Sequence, residues 1–113
     1  MSNILFICNA NMNRSPKAEE LVNRYSEENE AKSAGLHPIA IIPISYEAIK
    51  WADIIVLMNE SKDKQKTMLY EMFSYEEMNP KDIRVLEIPD IYPREDPELE
   101  KVLIDKLKDE SLM

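Results

Sequence analysis

A chain of 113 residues with 44% hydrophobic and 32% charged side chains has the balance of a single globular domain, 1–113, rather than of a disordered tail. Its 22 acidic against 14 basic residues leave a formal charge of −8, which argues against nucleic acid as a partner, because that affinity rests on Lys and Arg displacing counterions. One cysteine, one histidine and one glycine exclude an intramolecular disulfide, a Cys/His zinc cage and both the GxGxxG and GxxxxGK nucleotide loops, so no metal and no cofactor is expected.

In chain order, Ile4 to Cys8 is an unbroken apolar run, suited to a strand covered on both faces. After the polar turn Asn9 to Asn13, Ser15-Pro16 marks a helix start with Ser15 as its cap, and Ala18, Leu21, Val22 and Tyr25 supply its apolar stripe. A short strand is expected at Ala31 to Ala34, stopping at Gly35, and a helix from Pro43 to about Ala52. Asp53 to Met58 reads as a strand, and Asn59 or Ser61 caps a helix running toward Phe73. Tyr75 to Asp82 reads as a polar connection, Ile83 to Ile88 as the last strand, and Asp96-Pro97 as the start of a last helix with Leu99, Val102, Leu103 and Leu107 on one face.

Strands alternating with helices predict an α/β fold: a single-domain three-layer sandwich, with a four-stranded parallel sheet and helices on both faces. In such sheets ligands sit beyond the carboxyl ends of the strands, where Cys8 and Asp90 both fall. The apolar runs are about a quarter of a membrane span. With no membrane segment and no visible secretory signal, a cytoplasmic location is expected.

Cys8-Asn9-Ala10-Asn11-Met12-Asn13-Arg14-Ser15 sets a thiol at a strand end, five turn residues, and an arginine at a helix start. Successive N–H groups in such a turn can converge on an anion, and the helix adds its positive end. Arg14 offers a planar fork to two phosphoryl oxygens, and positive surroundings favour the Cys8 thiolate. Asparagine at 9, 11 and 13 tolerates left-handed backbone where glycine is missing. An isolated CxxxxxR is more often a buried strand-end thiol beside a solvated arginine; here strand, turn, Ser-Pro and helix surround it in the order a phosphate cradle needs.

These residues resemble the low-molecular-weight protein tyrosine phosphatase family. The nucleophile loop is matched by Ile4 to Cys8 with Asn11, Arg14, Ser15 and Pro16, and Ser33-Ala34-Gly35 matches a second segment. Ala52-Asp53 through Met58-Asn59-Glu60-Ser61 matches a third, and Ile88-Pro89-Asp90-Ile91-Tyr92 resembles the segment carrying the family's general acid. The resemblance implies a phosphotyrosine-containing protein or a small aryl phosphate as substrate. It implies Cys8 as nucleophile, Arg14 on the equatorial oxygens, and Asp90 as general acid and then base. Asn9, Ala10, Asn11, Met12, Asn13 and Ser15 would form the phosphate-binding loop, with Tyr92 and Met12 flanking an aromatic ring. The family's second cysteine is replaced by Asn13, and the loop Leu36 to Ile42 is short. Two other readings stay open: an arsenate reductase-like enzyme on the same fold, for which Cys8 lacks a partner cysteine, and a catalytically weak phosphate- or phosphopeptide-binding module.

Overall fold

The structure, a computed structural model, describes residues 2–78 and 81–113. Its centre is β1 (Ser2–Cys8), whose Ile4, Leu5, Phe6 and Ile7 are all fully buried, as an apolar run without alternation requires of a strand covered on both sides. β1 pairs in parallel with β2 (Asn29–Gly35) and β3 (Ile54–Leu57), and β3 with β4 (Asp82–Val85), giving the order β2-β1-β3-β4. Phe6 stands opposite Ser33 on one side and Val56 on the other.

Helices cover both faces. Ile4, Phe6 and Val56 pack with Ala18, Leu21 and Val22 of α1 (Arg14–Tyr25), and with Leu99, Leu103 and Leu107 of the last helix, α5 (Pro97–Asp109). Leu5, Ile7, Ile55 and Leu57 point the other way, onto Ile49 of α2 (Tyr46–Trp51), Leu69 of α3 (Gln65–Met72) and Met78 of α4 (Tyr75–Met78). The fold is the three-layer α/β sandwich that the sequence pattern implies. Because the chain leaves β1 for β2 on one side and returns to β3 on the other, the sheet changes direction at the carboxyl end of β1, which is where a crevice opens in such folds.

Several expected boundaries move. α1 begins at Arg14, so Ser15 lies inside the helix and is not its cap: its hydroxyl is occupied by Cys8, Asn11 and Ala34 instead. Pro43 does not open α2 but bridges to Gly35, and Ser45 is the cap, accepting from the Ala48 N–H. Asn59 caps a turn rather than α3, accepting from the N–H groups of Lys62 and Asp63, and α3 starts six residues after it. The connection after Phe73 contains the short helix α4, while Asn79 and Pro80 of that stretch lie outside the described residues. β4 ends at Val85; Leu86 and Ile88 continue alongside β3 through single hydrogen bonds to Leu57 and Met58, and Glu87 between them has a left-handed backbone (φ 56°).

Candidate active site

Cys8 ends β1 with its side chain almost fully buried, and the next five residues wrap over it before α1 begins. Asn11 takes the left-handed conformation (φ 55°) that closes this loop, at small cost for an asparagine. Its side chain turns inward, and Nδ2 donates to Ser15 Oγ at 3.0 Å. Ser15 Oγ lies 2.9 Å from Cys8 Sγ and 3.5 Å from the Ala34 carbonyl. With the Asn11 amide occupying an acceptor position on Oγ, the single hydroxyl proton is left for Cys8 or Ala34, and Cys8 is the nearer.

The loop spends its carbonyls on the fold and keeps its amides. Cys8, Asn9 and Ala10 carbonyls accept from the N–H groups of Leu36, His37 and Ile41, and the Asn13 carbonyl accepts from Lys17. The N–H groups of Asn9, Ala10, Asn11, Met12 and Asn13 donate to no acceptor among the described residues. Buried or partly buried donors left this way are costly unless something accepts them, and consecutive ones around a pocket suit an anion.

Arg14 sits at the start of α1 and is only 1% exposed. Its Nη1 donates to Asp63 Oδ2 at 2.9 Å and to the Ile88 carbonyl at 2.9 Å, which fixes the plane of the guanidinium. Its buried Nε has no hydrogen-bond partner among the described residues, and Asp90 Oδ1 stands 3.7 Å from it, at ion-pair distance. Cys8, Ala10, Met12, Asn13, Arg14 and Asp90 together line a cavity of about 90 Å³.

The residues expected from sequence separate into three groups. Cys8, Ala10, Met12, Asn13, Arg14 and Asp90 meet in the cavity. Asn9, Asn11 and Ser15 support it: Asn9 Oδ1 accepts from Gln65 Nε2 at 3.2 Å, and the other two underlie the thiol. Tyr92 is not among the lining residues; it is half-buried, packed against the core beneath α1 and α5. Asn13 has a second task, its Oδ1 accepting from the Arg94 N–H, which ties the loop after Cys8 to the segment after Asp90.

Two contributors escape a reading by motif, Asp63 and Gln65. Gln65 is fully buried, and its Oε1 accepts from the Met58 and Asn59 N–H groups while its Nε2 reaches Asn9. Both follow the carboxyl end of β3, and the rule that strand ends converge on the crevice is the signal that points to them. Among the described residues no group of three His, Cys, Asp or Glu side chains is placed to hold a metal ion.

The parallel sandwich is shared with solved structures of several low molecular weight protein tyrosine phosphatases. The sequence model of the family described as low molecular weight phosphotyrosine protein phosphatase matches residues 3–43, which hold β1, the loop after Cys8, α1 and β2. Solved structures extend the similarity to nearly the whole chain. The YwlE arginine phosphatase from Geobacillus stearothermophilus is 24% identical, with 98% of this chain and 93% of that chain covered and a TM-score of 0.69. The tyrosine phosphatase Wzb from Escherichia coli K30, solved in complex with phosphate, is 18% identical over 98% and 97% of the two chains, with a TM-score of 0.76. The low molecular weight protein tyrosine phosphatase SP-PTP from Streptococcus pyogenes is 19% identical over 96% and 93%, with a TM-score of 0.68. No curated protein matches the chain by sequence. No helix among the described residues is long and apolar enough to cross a membrane.

Proposed function

We propose that the chain is a cysteine-dependent phosphomonoesterase acting on phosphotyrosine, with Cys8, Arg14 and Asp90 as its catalytic residues. The observation that carries this reading is the buried Arg14 Nε, a charged donor with no hydrogen-bond partner among the described residues, at a cavity that also contains the only thiol. A phosphoryl group fits that demand: its equatorial oxygens accept from Arg14 and from the amides of residues 9–13, while Cys8 Sγ lies behind the phosphorus.

The steps follow from the neighbours of each atom. Cys8 Sγ attacks phosphorus as the ester bond breaks, giving a phosphocysteine, and the Ser15 hydroxyl stabilises the thiolate before attack and after release. Asp90, at the mouth and half exposed, gives its proton to the departing oxygen and then takes one from the water that attacks the phosphocysteine, releasing phosphate. Arg14, held from behind by Asp63 and Ile88, keeps its fork in place throughout.

Phosphoarginine is a second reading for the substrate. It is favoured by the similarity to an arginine phosphatase. Assay of p-nitrophenyl phosphate, of a phosphotyrosyl peptide and of a phosphoarginyl peptide, each with and without vanadate and with a Cys8→Ser control, decides the matter. Vanadate-sensitive turnover absent from Cys8→Ser is expected; binding of phosphate without any turnover supports the binding-module reading instead.

A further inference from the structure

Asn13 stands where a helix is usually capped by its own side chain. It is the residue before α1, and asparagine is among the preferred caps because its side-chain oxygen accepts a first-turn N–H. Here no such hydrogen bond is made. Oδ1 accepts instead from the Arg94 N–H at 3.1 Å, 81 residues further along the chain. The cap of α1 is given up for a contact with a distant segment.

That segment carries Asp90. It runs over residues 89–95, between the buried Ile88, whose N–H donates to the Met58 carbonyl and whose carbonyl accepts from Arg14, and Asp96, the cap of α5. Residues 90, 91 and 93–95 are exposed. The Asp96 N–H donates to the Pro93 carbonyl, closing a turn with Arg94 and Glu95 at its centre. Apart from that turn, the bond from the Arg94 N–H to Asn13 is, among the described residues, the only hydrogen bond made by the main chain of residues 89–95. Side chains add three further links: Tyr92 packs against the core, the Asp90 carboxylate stands 3.7 Å from Arg14 Nε, and Lys17 Nζ lies 4.0 Å from a Glu95 carboxylate that is 81% exposed. Apolar packing has no direction, and an ion pair to so exposed a carboxylate is worth little. The directional hold on the segment is Asn13.

We infer that Asn13 is a positioning residue for the proton step: it lines the same cavity as Asp90, and through the Arg94 N–H it holds the segment so that the Asp90 carboxyl reaches the departing oxygen. The inference rests on Asp90 being the general acid. A proton donor has to come within about 2.6–3.2 Å of the atom it protonates, and a half-exposed carboxyl on an exposed segment loses that register once the segment is released. One side chain thereby fixes the distance between the loop that bears Cys8 and the segment that bears the acid.

The test compares phenyl phosphate with p-nitrophenyl phosphate, whose leaving group needs little protonation, in wild type, Asp90→Asn and variants of the tether. Asn13→Ala removes the acceptor. Arg94→Pro removes the donor from the other side, leaving Asn13 in place, at the second position of a turn, where proline is favoured. Both should slow phenyl phosphate by about five- to tenfold, the effect of one lost hydrogen bond, and p-nitrophenyl phosphate by less than about threefold. Arg94→Ala keeps the N–H and should keep the wild-type ratio of the two rates. Asn13→Asp keeps the acceptor; its added charge slows both esters alike, so the ratio should again be that of wild type, and this comparison with Asn13→Ala carries the test should Arg94→Pro not fold. A ratio unchanged in Asn13→Ala, while Asp90→Asn shifts it, overturns the proposal. So does an equal loss on both esters with weaker vanadate inhibition in Asn13→Ala, which would put Asn13 on the phosphoryl group instead. A ratio that Asp90→Asn also leaves unmoved, or a wild type that turns over neither ester, locates the failure in the acid or the catalytic reading, and the positioning role falls with it.

Discussion

Asp63 holds Arg14 from across the crevice: its Oδ2 accepts from Arg14 Nη1 at 2.9 Å, joining the turn after β3 to the start of α1 over 49 residues of chain. The Ile88 carbonyl takes the same Nη1 and leaves Nε to face Asp90 and the cavity. A guanidinium fixed at Nη1, with Nε turned toward Asp90 and the cavity, is oriented before any oxyanion arrives, which is the geometry that electrostatic stabilisation needs.

Asp63→Asn should therefore lower kcat/KM on p-nitrophenyl phosphate by about tenfold or more, the worth of a hydrogen bond to a charged group, and weaken vanadate inhibition in parallel. Asp63→Ala should go further and destabilise the fold, because it leaves a buried guanidinium with no carboxylate on its Nη1 side. Vanadate affinity in Asp63→Asn equal to wild type, in a protein of unchanged melting temperature, would remove the positioning role.

Arg14→Lys tests the fork itself. A lysine ammonium is one point charge and cannot serve Asp63, Ile88 and a phosphoryl oxygen in one plane, so activity should fall by about a hundredfold or more while circular dichroism stays native. Activity near wild type in the folded variant would show that the fork is not what binds the phosphoryl group.

Periodicity and motif order made the architecture legible in the sequence: the unbroken run Ile4 to Cys8 suits a strand covered on both faces, and Leu99, Leu103 and Leu107 one buried helix face. What stayed hidden depends on contacts between distant segments. Ser15 next to Pro16 has the local signature of a cap, yet tertiary contacts place it under the thiol, where hydrogen bonds to Cys8 and Asn11 outweigh capping. Asp63 lies in a polar run with no motif of its own, and only the convergence of β1 and β3 brings it to Arg14. Tyr92 matched a motif by position; it packs partly buried against the core and is not a lining residue of the cavity.

Gly35 is the single glycine, and the reason is crowding rather than backbone conformation, since no glycine has positive φ. A Cβ there would lie 2.5 Å from Ala40 Cβ and 2.7 Å from the Asn9 carbonyl oxygen, both inside any real contact. The Asn9 carbonyl is main chain of the loop after Cys8 and cannot swing away. Gly35→Ala should cost about 1–3 kcal/mol as an overpacked site and lower activity beyond what the loss of folded protein explains. A variant with wild-type melting temperature and kcat would mean the two loops can separate without consequence.

The turn that carries Asp63 is itself pinned by Glu87, whose Oε1 accepts from the N–H groups of Glu60 at 2.9 Å and Ser61 at 3.3 Å. The Ser61 side-chain hydrogen bond foremost, with the Glu60 N–H next, holds the Glu87 carboxyl below the usual glutamate range. A folded value below the unfolded one means the charged form is favoured in the fold, so its contribution is complete above the unfolded value of about 4.3 and is lost as pH falls through the folded value. Glu87→Gln should therefore melt below wild type at neutral pH, with the gap closing as pH falls below the unfolded glutamate value and through the folded one. Thermal melts of both proteins across that range check this, and a gap independent of pH would show that the carboxylate's charge is not what pins the turn.

Asp90 and Asp96 both follow the last strand, and the structure separates their surroundings. Asp96 caps α5, its side chain accepting from the Glu98 N–H at 2.9 Å, with Pro97 at the first helical turn. Among the described residues Asp90 caps no helix; it lines the cavity and stands 3.7 Å from Arg14 Nε. If Asp90 is the general acid, its proton matters in proportion to the basicity of the departing oxygen. Phenolate needs protonation far more than p-nitrophenolate, so Asp90→Asn should slow phenyl phosphate hydrolysis by roughly 10²–10⁴-fold and p-nitrophenyl phosphate distinctly less. Asp96→Asn keeps a good cap, so it should leave both rates nearly intact and cost at most about 1 kcal/mol of stability. Rates on the two esters that fall equally in Asp90→Asn, or a leaving-group dependence that emerges in Asp96→Asn instead, would assign the proton to another group.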